Sequence, residues 1–433
     1  MSSPDAHDRQ GLHRRDFARL LTMGGAAVLA AARAEGWSDP PPLGQVPAEK
    51  DEKFWTAVRA QFLMPPALAS LNAANLCPAS RRVIDAMFAS TRSVEQDPSS
   101  QNRQQTQQGR EEARRRIAQV LRVTPEEIVI TRNTSEANNI VSSGLDLRPG
   151  DEVLIFSDNH PSNHAAWREK AKRFGYTVTI VEQVNPHPGP DYYIGAFTKA
   201  ITPKTKVLAF THVTSSAGDL MPARELCRLA RERGVLTLVD GAQSFGVLDV
   251  DLADMQPDFY SGSAHKWPCG PKETGVLYVN ARAHALVAPS VISLYAGAVG
   301  ISKTLEAYGQ RDEPAIVGFS EALAFQGEIG RKVIEERARE LTAALIEGLR
   351  KIDGVKVWTH PARERSAAIV SFQPAALDVR KLHEALYRSD RIVCSTRPGA
   401  DRGGLRFSPH FYNTHAEIDR ALAAVAKHVR AGL

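Results

Sequence analysis

The sequence predicts an α/β fold, with a mostly parallel sheet between helices followed by a smaller α+β unit. Three observations predict it. Apolar runs at residues 128–130, 153–156, 178–181, 207–210, 236–239 and 275–279 lack polar alternation, as strands buried on both faces do. Helical patterns at 136–145, 164–174 and 223–233 fall between runs, which is the order of parallel strands joined by helical crossovers. From about residue 321 the pattern changes to one long charged helix through 349. Short apolar runs then follow at 355–358, 369–372, 392–395 and 405–408, with helices at 379–388 and from His415.

Taken in order, the chain opens on an export-like segment. Arg14-Arg15-Asp16-Phe17 precedes an apolar stretch at 23–32, and Ala32-Arg33-Ala34 resembles a signal-peptidase site. This is the pattern of a twin-arginine signal. His13 and Ala18 depart from it, standing where Ser or Thr and a larger apolar residue are usual. The apolar stretch is too short to span a bilayer, so cleavage near Ala34 and a periplasmic or extracytoplasmic location are expected, with no membrane attachment afterwards. Residues 35–48 read as a linker through Asp39-Pro40-Pro41-Pro42. A large domain is expected over 49–320, beginning with a helical pattern around Phe54, Trp55, Val58 and Phe62, and a small one over 321–433.

The 433 residues suffice to bury a cofactor, and a net charge of +5 with no long basic run gives nucleic-acid binding no support. Arg114-Arg115-Arg116 reads as solvated helix surface. Cys77, Cys227, Cys269 and Cys394 are widely spaced, without C-x-x-C or a neighbouring His, so neither a metal site nor a disulfide framework is expected.

The chemistry gathers where strands end. The run Val235-Leu236-Thr237-Leu238-Val239-Asp240 delivers a carboxylate. Ser261-Gly262-Ser263-Ala264-His265-Lys266-Trp267 follows in what reads as a Gly/Ser-rich loop. A buried carboxylate and an accessible lysine are what pyridoxal 5'-phosphate (PLP) needs. The lysine holds its aldehyde as a Schiff base, and the carboxylate keeps its ring nitrogen protonated so that the ring is an electron sink. Upstream, Arg132-Asn133-Thr134-Ser135-Glu136 opens a helix, with two hydroxyls beside free backbone N–H groups. That suits an anion, although alone an ordinary helix cap accounts for it. No G-x-G-x-x-G or G-x-x-x-x-G-K-[ST] is present, which argues against a dinucleotide or nucleoside triphosphate. Ser157-Asp158-Asn159-His160 and Thr211-His212-Val213-Thr214-Ser215-Ser216 add polar groups at two more strand ends. His160 fits either a ring-stacking or a structural role.

In this order the set resembles fold-type I PLP enzymes of the class V aminotransferase group, from about Leu71 to the C-terminus. His265-Lys266-Trp267-Pro268-Cys269-Gly270-Pro271-Lys272 is similar to the corresponding segment of the isopenicillin N epimerase-like branch. The resemblance implies a seven-stranded sheet with a smaller C-terminal domain. It assigns Lys266 to the Schiff base, Asp240 to the ring nitrogen and His160 to stacking on the ring. Thr134, Ser135, Ser215, Ser263 and His265 fall among the cofactor contacts, and Gln243 beside the ring hydroxyl. Arg406 takes the substrate α-carboxylate, with Asn75 also on the substrate side. Gly309-Gln310-Arg311-Asp312 resembles a segment that reaches the phosphate of a neighbouring subunit, which implies a homodimer with shared sites. Gln310 there replaces a Thr hydroxyl.

The expected activity is α-proton abstraction from an amino acid, or from an amino-acid side chain of a peptide, of aminotransferase or epimerase type. A carbon–sulfur lyase or desulfurase is one alternative, but the stretch 397–404, where desulfurases carry their nucleophile, has no Cys, and Cys394 falls inside a strand pattern. Periplasmic tailoring of a peptide siderophore and non-catalytic PLP binding are the others.

Overall fold

Seven strands build the main sheet, and six of them carry the apolar runs between residues 128 and 279. In the computed structural model, which describes residues 43–44, 46–48, 50–374, 376–399 and 401–432, a two-residue strand β1 (Ala69–Ser70) precedes them. The seven are β2 (Ile128–Thr131), β3 (Glu152–Phe156), β4 (Thr177–Val181), β5 (Thr205–Thr211), β6 (Leu236–Asp240), β7 (Phe259–Ser263) and β8 (Gly275–Val279). The twin-arginine segment lies outside the described residues. The strands line up as β2-β8-β7-β6-β5-β3-β4, with β8 antiparallel to both neighbours and the other four pairings parallel. Val153, Ile155, Val207, Ala209, Leu238 and Phe259 are fully buried, and Ala137, Val141 and Trp167 from the crossover helices pack on them. Covering of this kind is why the runs show no polar alternation.

A second, antiparallel sheet takes the order β12-β13-β10-β9, from β9 (Val355–Val357), β10 (Val370–Pro374), β12 (Ser395–Arg397) and β13 (Gly404–Phe407). Leu341 and Leu345 of the helix Arg331–Arg350, with Ile418 of the helix His415–Ala431, bury its apolar face around Phe372 and Phe407.

Four expectations need correction. Phe259–Ser263 is a central strand rather than the start of a loop. Its two serines and glycine hide a strand because each is used: Ser261 Oγ donates to Asn138 Oδ1 at 2.7 Å, and a Cβ on Gly262 would stand 2.7 Å from the Phe245 ring. The charged helix is two helices, Glu313–Ile329 and Arg331–Arg350, parted at Gly330, whose φ of +102° is left-handed backbone that a side chain disfavours. The run at 392–395 divides into β11 (Ile392–Val393), which pairs in parallel with β1, and β12, which pairs with β13. Finally, Arg114 is fully buried, not solvated, while Arg115 of the same triplet is exposed.

Arg114 is buried because Glu306 meets it. The two form a bidentate pair at 2.7 and 3.1 Å, and Glu306 also accepts from the Ile130 N–H at 2.8 Å. Arg311 lies 3.4 Å from the same carboxylate and donates to Ile130 O at 2.6 Å. One carboxylate thus fastens the 306–311 segment under β2. Glu306→Ala leaves buried Arg114 with Glu111, at 2.9 and 3.1 Å, as its remaining acidic partner, and is expected to cost about 3 kcal/mol, the low end for breaking a buried pair, read as a lower urea midpoint at unchanged slope.

Candidate active site

The register of the sheet assembles the site. Thr211, Asp240 and Ser261 lie side by side at or near the ends of β5, β6 and β7, so each following turn opens over the same edge of the sheet. A cavity of about 340 Å³ opens there. Asn75, Thr134, Ser135, His160, Ser215, Asp240, Gln243, Ser263, His265, Lys266 and Arg406 all line it. Gln310 and Arg311 do not: Gln310 accepts from Arg103 at 3.0 Å, and Arg311 is held by Glu306 and Ile130.

At one end is the helix start. Asn133 is the cap, accepting from the Glu136 N–H at 3.0 Å, so Thr134 is the first helical residue rather than the cap. Thr134 N donates to Ser263 Oγ at 2.9 Å and its hydroxyl lies 2.8 Å from the same oxygen. Hydroxyls and a helix N-terminus converge here, and His265 lines the cavity with them. Burial, then the charges of Lys266 and Lys272, push His265 down to about 4, so its ring is neutral.

At the centre lies Asp240, 3% exposed. Its Oδ2 accepts from Asn138 Nδ2 at 2.9 Å and from Asn163 Nδ2 at 3.5 Å, and its Oδ1 from the Ala242 N–H at 3.0 Å. Asn163 Oδ1 is buried without a partner. These contacts are made by donors alone, which stabilise a carboxylate and fix its plane. In the sequence Asn138 stands out only as part of the helix opening. Its place one turn after Thr134, on the inner face, is the signal that identifies it. Gln243 is already engaged, accepting from Trp267 Nε1 at 2.8 Å and donating to Ala74 O at 2.9 Å, which leaves one amide hydrogen. His160 Nδ1 accepts from the Ser162 N–H at 3.3 Å, so the ring both caps its helix and lines the cavity.

Lys266 opens into the cavity, yet burial pushes its amine down to about 8. Asp240 pulls it the other way, and Arg406 and Arg397 push it further down. The neutral amine is the nucleophile towards an aldehyde. Capture of PLP by the cofactor-free protein is therefore expected to slow about tenfold per pH unit below about 8 and to level off above it. An ordinary lysine would keep gaining to beyond about pH 10. Stopped-flow absorbance across roughly pH 6–10 checks this.

At the far end Arg406, 3% exposed, donates to Ser215 O at 2.8 Å and Asn72 Oδ1 at 3.4 Å. Four residues before it in the chain, Arg402 is pinned, bonding Asp219 at 2.7 Å and lying 3.6 Å from Asp158. Cys394 is buried and its thiol is pushed up to about 12, so it supplies no thiolate. Behind the Lys266 turn Cys77, Cys269 and His410 meet, their Sγ and ring-nitrogen atoms within 4.8 Å of one another. The spacing rule applied to the sequence looks only along the chain and misses this convergence. Burial pushes the Cys269 thiol well up, and His410 down to about 3 with its Nε2 donating to Trp267 O at 2.6 Å.

The profile of the class V aminotransferases matches residues 73–421. The chain belongs to that family. An isopenicillin N epimerase of Amycolatopsis lactamdurans is 32% identical over 86% of this chain and 98% of its own length. A probable cysteine desulfurase of Methanothermobacter thermautotrophicus is 28% identical over 71% and 80%. In fold, the chain is similar to a cystine C–S lyase mutant with glycine covalently linked to its PLP cofactor, at a TM-score of 0.77 and 24% identity, covering 85% of this chain and 98% of that one. The family is PLP-dependent, and the residues present suit that cofactor. The helix start with Ser263 and His265 would hold its phosphate, Asp240 its ring nitrogen and Lys266 its aldehyde carbon.

Proposed function

We propose that this chain is an amino-acid epimerase or aminotransferase that removes the α-proton of an amino acid or of an amino-acid residue exposed on a peptide. The observation that carries this reading is the cavity itself. It sets a lysine amine near neutrality between a donor-locked carboxylate and a buried arginine that lacks an acidic partner among the described residues.

When bound, PLP supplies the electron sink for the charge left at Cα. The protein supplies the rest. Arg406 orients the substrate through its α-carboxylate, for which a guanidinium fork is suited. Lys266 takes the proton from Cα, a role to which an amine near neutral pH is well matched. Asp240, its plane fixed by Asn138, Asn163 and the Ala242 N–H, keeps the cofactor's ring nitrogen protonated. The 32% identity to an isopenicillin N epimerase across nearly all of that protein supports the epimerase type. The buried Cys394 and the absence of Cys from the sequence at 397–404, where Arg402 is tied to Asp219, speak against desulfurase chemistry, which needs a reactive thiol delivered to the site.

The connection ahead of the 302–311 region exposes Ile292, Leu294 and Tyr295, an apolar run that a second copy of the chain would cover. A homodimer with shared sites, checked by sedimentation, belongs to the proposal. So do export by the twin-arginine route, with a peptide siderophore as one candidate substrate, and action without nucleic acid. Among the described residues no helix is long and apolar enough to cross a membrane.

The test is exchange at Cα. The cofactor-loaded protein is incubated in D2O with D- and L-amino acids and short peptides, and followed by NMR and chiral chromatography. Deuterium at Cα with inversion supports the epimerase type, and keto-acid formation the aminotransferase type. Release of sulfide or persulfide from cysteine or cystine, without exchange on other amino acids, would overturn the proposal.

A further inference from the structure

The cavity holds a second guanidinium that the proposed chemistry leaves unused. Arg397 lines it together with Arg406, and the strand register explains why. Ser395 pairs with Arg406 and Arg397 with Gly404 across β12 and β13, so Arg397 and Arg406 stand diagonally on one face of the sheet. Both turn to the same residue: Arg406 Nη1 donates to Ser215 O at 2.8 Å and Arg397 Nη2 to Ser215 Oγ at 3.3 Å. The two heads are therefore neighbours, each directed at a different oxygen of Ser215.

Neither forms an ion pair among the described residues. Asp158 is the acid that acts on Arg397, but its carboxylate is already engaged by Ser216 and by Arg402. Arg406 Nε is buried without a partner. Burial holds both guanidinia below arginine's ordinary value, Arg406 at about 9 with Arg397 adding to its shift. Two like charges facing each other in a shared, partly dry cavity are unfavourable until anions reach them. The cofactor's phosphate is assigned to another set of side chains, Thr134, Ser263 and His265, and both arginines instead bond Ser215. One substrate carboxylate satisfies Arg406 and leaves Arg397 unmatched.

We infer that Arg397 binds a second acidic group of the substrate, so that this site takes α-amino acids with an acidic side chain, of the aspartate or glutamate kind. The inference rests on the proposed function for the role of Arg406. The diagonal placement suits two acidic groups separated by a short carbon chain better than one carboxylate clamped from both sides.

The experiment titrates the cofactor-loaded protein with ligands that differ only in the second acid. Glutarate and butyrate, which carry no amine, are followed by calorimetry. Glutamate and norvaline are followed by the visible absorption of the bound cofactor. Wild type is expected to bind the diacids at least about tenfold more tightly than the monoacids. Arg397→Gln is expected to weaken glutarate and glutamate by about 10–100-fold, the loss of one charge-assisted pair, and to leave butyrate and norvaline unchanged. Arg397→Lys keeps the charge without the fork and is expected to fall between; it stands in if the glutamine variant does not fold. Equal weakening of mono- and diacids would mean that Arg397 clamps the α-carboxylate and would overturn the inference, as would no weakening of either. If no amino acid perturbs the cofactor absorption while glutarate still binds through Arg397, the proposed chemistry fails and the second acid site stands.

Discussion

Lys266→Ala abolishes covalent attachment of the cofactor and lowers turnover by about 10⁴-fold or more. The lysine has two roles that no neighbour can assume. In the proposed reaction it would anchor the aldehyde carbon and its amine would be the base at Cα, a contribution worth about 10²–10⁴ by itself. The other nitrogen bases lining the cavity are poor replacements, since His265 is held near 4 beside the phosphate cradle and His160 is tied through Nδ1 to the Ser162 N–H. The protein should still fold and should retain non-covalent PLP, because Thr134, Ser263 and Asp240, proposed to hold its phosphate and ring nitrogen, are untouched. Absorbance after dialysis and exchange of the α-proton separate the two losses. Survival of α-proton exchange within about tenfold of wild type would show that another group is the base.

Asp240→Asn is the next largest effect, about 10²–10³-fold in turnover, typical of removing one preorganised electrostatic partner in a buried site. The amide keeps the shape but not the charge. It also turns two acceptor oxygens into one, so either Asn138 Nδ2 or the Ala242 N–H is left facing a donor. In the proposed site the ring nitrogen of bound PLP would then lack a counter-charge, and the α-proton of the substrate would be less acidic. A blue-shifted cofactor band and a fall in turnover with little change in the affinity for amino acids would bear this out. A fall in affinity alone would assign Asp240 a binding role instead.

The sheet was legible because strands covered on both faces leave apolar runs, and six of its seven strands announced themselves in this way. The seventh, β7, could not. Its Ser261 and Ser263 spend their hydroxyls on Asn138 and Thr134, a pairing that exists only once the helix Thr134–Gly144 lies across the sheet. Arg114 is a similar case. Its partner Glu306 is distant in sequence, and a buried ion pair looks like two surface charges until the chain brings them together. Within the site, the residues at strand ends were readable because position and chemistry coincide there. Asn163 and Arg402 were not, since each acts through a partner on another segment. The short β11 and β12 merged into one run because the residue between them, Cys394, is itself buried and leaves no polar break in the pattern.

Glu306 also reaches beyond stability. Its carboxylate binds the backbone of β2, which leads directly into the Asn133–Thr134 turn, and also Arg311 on the segment that follows the exposed apolar connection. Any coupling between occupancy at the turn and order in the 306–311 segment that runs through this carboxylate is reciprocal, so that whatever favours one favours the other to the same degree. Under such a coupling, loss of cofactor loosens the segment, and whatever holds the segment raises the affinity for cofactor, with no contact needed between the two.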